Sequence, residues 1–136
     1  MNTKLWLYAS AAAFVAMAVI EFVINGVLLA DIYKQTASVW RTEAEMRQMM
    51  WLFWLAYLVF APVFTLIYAK GYESGKSGIG QGLRFGFYLG LLTAIPMSLI
   101  WYAVLPIPAT LAVYWAIAGM AEMIAMGIVV GLIYKN

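Results

Sequence analysis

The chain has 136 residues, 66% of them apolar and 10% charged, with a net charge of +2 and neither cysteine nor histidine. A soluble domain of this length cannot hide so much apolar surface, so lipid must solvate its outside. The composition excludes disulfides, thiolate and histidine metal sites and histidine acid–base catalysis, and so small a charge with no basic run gives no case for nucleic acid.

Residues 5–30 form an apolar run interrupted by Glu21 and Asn25. At 1.5 Å per residue the run is about 39 Å long, enough to cross a bilayer with some tilt. Lys4 and the Ala-x-Ala triplets that follow imitate a signal peptide, but the run is too long for one, and an uncleaved first span is expected.

Residues 31–48 are the first polar link. Thr42-Glu43-Ala44-Glu45 has the form of a capping box, and Arg41/Glu45 and Glu43/Arg47 have the spacing of helix-surface ion pairs. A second helix is therefore expected from near Glu43, spanning the membrane over 49–69 with Trp51 and Trp54 at its entry. Gly71, Gly75, Lys76 and Ser77 imitate a phosphate-binding loop with the first glycine one residue too close. With no strand-and-helix unit around them, a flexible hairpin is expected instead.

The third span is expected over 83–105. Gly78, Gly82, Gly86 and Gly90 recur every four residues, so once helical they leave a groove that admits a neighbouring helix backbone to backbone. Pro62 and Pro96 fall mid-span and would bend the second and third helices at similar depth if these pair as a hairpin. After the Pro106-Ile107-Pro108 turn, Thr110 is the expected cap of a fourth span over 110–134. Gly26/Ala30 and Gly127/Gly131 offer matching small-residue faces on spans one and four. These faces serve either packing within one protomer or docking on a second copy or a larger membrane complex.

Glu21 and Glu122 are the acids at lipid depth, about 25 Å and about 18 Å above the boundary on the side of the termini. A charge there is costly, so both should face the bundle interior, touching through a water or through Asn25. With no opposite charge in range, at least one should carry a proton at neutral pH. They act either as a proton or cation relay or as neutral hydrogen-bonding glue. Residues 21–34 and 122–135 share a glutamate, a glycine five later and a closing Ile-Tyr-Lys, as an old duplication would leave. Tyr57, Tyr88, Tyr114 and Trp115 lie deep enough to line a cavity, with core packing as the alternative.

Lys4, Lys70, Lys76, Arg84 and Lys135 lie on the side of the termini, against Lys34, Arg41 and Arg47 on the other. The excess favours cytoplasmic termini and a multi-pass protein of the inner membrane.

Phe64-x-x-Ile67-Tyr68-x-Lys70-Gly71-Tyr72-Glu73, a glycine-rich link and Gly82-Leu83-Arg84-Phe85-Gly86 follow in that order. This order resembles a group of small, uncharacterised bacterial four-span membrane proteins, and the resemblance implies no activity. Small multidrug-resistance transporters share the size and a first-span glutamate, but the residues around Glu21 do not match their motif. The expected fold is all-α, one domain over 1–136, an integral membrane four-helix up-down bundle. The expected function is that of a non-catalytic accessory, assembly or self-associating component, or else a carboxylate-based proton- or cation-coupled small transporter or channel. No enzymatic activity, catalytic residue, metal or cofactor is expected, and the expected partners are the lipid bilayer and a homo-oligomer or larger membrane complex.

Overall fold

The computed structural model describes residues 1–135. Six α-helices form, and no strand forms among the described residues. The first span begins as α1 (Thr3–Glu21) and continues as a π-helix (Phe22–Leu28). The link holds α2 (Ala30–Gln35), a 3-10 turn (Ala37–Val39) and α3 (Glu43–Gln48). The other spans are α4 (Met50–Lys70), α5 (Gly78–Val104) and α6 (Ala109–Ile133). Four helices are thus long and apolar enough to cross a membrane, the first of them counting its π-helical end. The chain is an all-α, multi-pass membrane protein.

The link forms its capping box as expected: Thr42 accepts from the Glu45 amide while the Glu45 carboxylate accepts from the Thr42 amide. Those bonds hold the Glu45 carboxylate below its ordinary range, the Thr42 amide contributing most. The helix does not run on into the membrane, because Met49 leaves helical geometry with φ −102° and ψ 5° and separates α3 from α4. The expected Arg41/Glu45 and Glu43/Arg47 pairs are not among the ion pairs of the described residues. The cap of α6 also differs from expectation. Pro108, with its preset φ of −67°, opens the helix, and Thr110 lies inside it.

The α4–α5 turn is latched rather than flexible. The Gln81 side chain accepts from the Glu73 amide at 2.8 Å and donates to the Glu73 carbonyl at 3.0 Å. Gly75 supplies the positive φ of 81° that the reversal requires. Lys76 and Arg84 both bond the Glu73 carboxylate and hold it below its ordinary range. Ser77 accepts from the Gly80 amide and so starts α5 five residues earlier than the apolar run suggested.

Glycine decides which helices pair. A Cβ on Gly82 would overlap the Gly127 carbonyl and one on Gly127 the Gly82 carbonyl; Gly78 and Gly131 stand in the same reciprocal relation. A Cβ on Gly86 would lie 2.6 Å from Ile124 Cα, and one on Gly90 2.6 Å from Met120 Sδ. Antiparallel α5 and α6 therefore meet backbone to backbone, with Cα–H groups facing carbonyl oxygens. The α4–α5 hairpin expected from Pro62 and Pro96 is replaced by this pairing. On α4 the four-residue spacing falls on Ala61, Thr65 and Ala69 rather than on glycine, and its approach to α5 is through the rings of Phe64 and Phe85, 4.8 Å apart.

The first span lies between α4 and α6, and Ala9 and Ala13 keep that approach close. Around them the end bearing the termini is packed with Phe64, Tyr68, Met126 and Tyr134. There the Asn2 amide donates to the Tyr134 hydroxyl at 3.2 Å, tying the two ends of the chain together. The opposite end is held by a separate cluster of Leu29, Ile107 and Leu111. Between that cluster and the packed end the bundle is hollow.

Candidate functional site

The hollow is a cavity of about 1210 Å³ lined by the first span, the link, Phe53 of α4 and facing stretches of α5 and α6. Glu21 and Glu122 lie in its wall at membrane depth, and the exposed Lys34, Arg41 and Glu43 stand at its mouth. Glu122 is 5% exposed, and its Oε1 has no hydrogen-bond partner. Its carboxyl shares the cavity wall with the Glu21 carboxyl. A carboxylate has acceptors only, so any hydrogen bond between the two carboxyls needs a proton.

The π-helix shapes the first-span side of the site. Seven residues wind with wider i→i+5 turns, as the Leu29 amide shows by donating to the Ile24 carbonyl at 2.8 Å. Asn25, four residues beyond Glu21, donates from Nδ2 to Glu21 Oε2 at 2.5 Å. Its Oδ1 accepts from the Tyr33 hydroxyl at 2.6 Å, and that hydroxyl accepts from Trp115 Nε1 at 2.8 Å. An indole N–H can only donate. From Trp115 through Tyr33 and Asn25, every bond therefore points its hydrogen toward Glu21. The donor chain thus ends on Glu21 Oε2. Burial pushes the Tyr33 phenol up, against the opposing pull of the Trp115 bond, so it stays a neutral donor.

Aromatic rings complete the wall. Trp40 meets Tyr33 edge-on at 5.6 Å and Trp115 at 5.9 Å, and its own N–H is bonded to Thr36 Oγ1 at 2.9 Å. Trp101 and Phe53 line the cavity from the other side. Among the described residues neither carboxylate has a cationic partner, since Lys34 pairs with Asp31 and Lys76 and Arg84 pair with Glu73. No cluster of three or more metal-ligating acids, histidines or cysteines forms among the described residues.

The structure brings together Glu21, Asn25, Glu122 and Trp115 of the residues singled out from the sequence. Tyr57 lies outside the lining, edge-on to Phe14 and Trp54, with both carboxyls in its neighbourhood. Tyr88 belongs to a separate small cleft of about 150 Å³, and Tyr114, 48% exposed, lies on the outer surface. The expectation for both was a place in the cavity; they are corrected here, because depth in a span does not say which face a residue is on. Gly82, Gly86, Gly90, Gly127 and Gly131 lie in the α5–α6 contact. Gly26 does not pack on another helix: the atoms nearest a Cβ there belong to its own Phe22 ring, at 3.3 Å. The wider π turn removes it from the small-residue face that regular helical spacing predicts.

Sequence reasoning gave Tyr33, Trp40 and Gly119 no place in the site, Trp40 reading as one of the aromatics of the membrane interface. The first two sit in a stretch that reads as polar link, although two aromatics there signalled something to pack against. Gly119 continues the four-residue spacing of Gly127 and Gly131, and a Cβ on it would lie 2.7 Å from Ala94 Cβ.

Fold and site together define a class: a small polytopic membrane protein with a carboxyl pair in the wall of an aromatic cavity. No protein family, curated protein or solved structure matches the chain. Its function rests on its own geometry.

Proposed function

We propose that the chain is a proton-coupled carrier of the inner membrane whose Glu21–Glu122 pair exchanges a shared proton for a cation. One observation supports this above the others: Glu122 is buried in the cavity wall that it shares with Glu21, with one oxygen left unpartnered. Glue alone would use both oxygens, since an unpaired buried acceptor costs about 1–3 kcal/mol. The accessory reading drew its case from the small-residue faces, and those of α5 and α6 are turned to each other inside one protomer. The lipid bilayer is the partner this reading requires. With neither histidine nor cysteine beside the carboxyls, we assign the site to binding and transport rather than to catalysis.

In this reading the termini face the cytoplasm, with five basic residues against three, and the cavity opens to the other side. Infrared titration of the protonated carboxyl band is the direct test. The band should change between about pH 5 and pH 9 in the natural chain, and the change should vanish in Glu122→Gln without loss of fold. A band that is flat in the natural chain would end the proposal.

A further inference from the structure

The carrier reading leaves the cation unnamed, and the cavity wall narrows its chemistry. A calcium or magnesium ion needs six or more oxygens close around it, and any bare ion needs its ligands gathered within a few ångströms. Here the Glu21, Asn25 and Tyr33 oxygens are engaged with each other, and the free Glu122 Oε1 and the Ser98 hydroxyl stand with them in the wall of a hollow of about 1210 Å³. That is far too wide for a bare ion and generous for an organic molecule. The rest of the wall is aromatic and aliphatic. Trp40, Trp101, Trp115 and Phe53 present ring surface, which attracts a cation whose charge is spread over apolar substituents.

From this we infer that the cavity is a binding site for a monovalent organic cation with apolar substituents, its charge at Glu122 and Glu21 and its substituents against the tryptophans. The inference rests on the carrier reading and names its substrate class. Charge supports a one-for-one exchange. A pair holding one proton carries −1; with both carboxylates ionised and one monovalent cation bound, the site again carries −1. The proton leaves to the solvent at the cavity mouth. A divalent cation or an anion would change the net charge of a site walled by lipid-depth protein, at a desolvation cost the exchange avoids.

Affinity should rise with pH as the shared proton is lost. The titratable groups facing the pair are Tyr33 from α2 and Tyr57 from α4, and a phenol ordinarily titrates only at about 10. The stretch of α5 in the wall, with Ala94, Met97, Ser98 and Trp101, contributes none, and Lys34, Arg41 and Glu43 stand at the mouth. The dependence therefore belongs to the carboxyl pair.

The test titrates the full chain in detergent with benzyltriethylammonium, with phenylmethanesulfonate as a similar-sized anion and sodium as a bare cation. Saturable binding of one organic cation per chain is expected, tightening from about pH 6 to about pH 8 with release of a proton to a weakly buffered medium. Trp101→Ala should weaken it about tenfold. Glu122→Gln should abolish the proton release. Trp101 is 44% exposed and outside the packed clusters, so its replacement leaves the fold intact. No saturable binding of the organic cation, equal binding of the sulfonate, or competition by sodium at equal concentration would each overturn the inference. A carboxyl band that titrates beside absent cation binding would refute the ligand and leave the proton-coupled reading standing. Cation binding with no flux in vesicles would do the reverse.

Discussion

At Tyr33 one hydroxyl joins three parts of the chain: it accepts from Trp115 of α6 and donates to Asn25 of the π-helix, while its own ring sits on α2. Tyr33→Phe keeps the ring and removes both bonds, leaving the indole N–H and the Asn25 Oδ1 unpaired. A stability loss of about 1–3 kcal/mol is expected in detergent melting. A structural role would stop there. If the chain of donors also acts on the carboxyl pair, the carboxyl infrared band of Tyr33→Phe should differ in its pH dependence from that of the natural chain. An unchanged titration would show that the donors fix geometry alone. Glu21 and Glu122 were legible in the sequence because an acid in an apolar run has to have a reason. Tyr33 was not, because its partners Asn25 and Trp115 are distant in sequence and meet it only once the fold closes.

The elements divide by how they are joined. The α5–α6 contact was legible in outline, since a four-residue glycine period on a helix leaves one groove whatever surrounds it. Gly82→Leu should drive a side chain into the Gly127 backbone, which cannot yield as a flexible side chain can. The expected cost is at least about 3 kcal/mol, seen as a large fall in melting temperature or a failure to fold. Gly26→Ala is the control: it meets only the edge of the Phe22 ring, which can turn aside on an exposed face, so stability should change by less than about 1 kcal/mol. Equal losses from the two substitutions would show that the seam is not special. The π-helix that separates these cases had no sequence signature. Its residues suit an ordinary helix, and the wider turn is held by bonds from Asn25 to Glu21 and Tyr33 that appear only in the folded chain.

At the scale of the whole molecule the two ends are unequal. Tyr68, Tyr72 and Tyr134 meet edge to face at the end of the termini, while the other end opens into the cavity. The absence of cysteine lets that inequality be measured without background. In Ala118→Cys, on the cavity wall, a membrane-impermeant maleimide should react from one side of sealed vesicles only. In Ala61→Cys, at a fully buried position of the packed end, it should react from neither side until the protein is denatured. Labelling of the Ala61→Cys chain from either side, or of Ala118→Cys from both, would contradict this division between a packed end and an open one.

The glycine seam also governs how this protein can diverge. Gly78, Gly82, Gly127 and Gly131 have no larger replacement that leaves the neighbouring backbone where it is, whereas lipid-facing positions such as Leu58, Leu92 and Ile117 need little more than an apolar character. Drift is thus channelled outward, where almost any greasy residue serves and sequence likeness decays fastest. A cousin of this chain would keep a rhythm rather than a wording: glycines at intervals of four on two consecutive spans, and one acid in the first span facing one in the last.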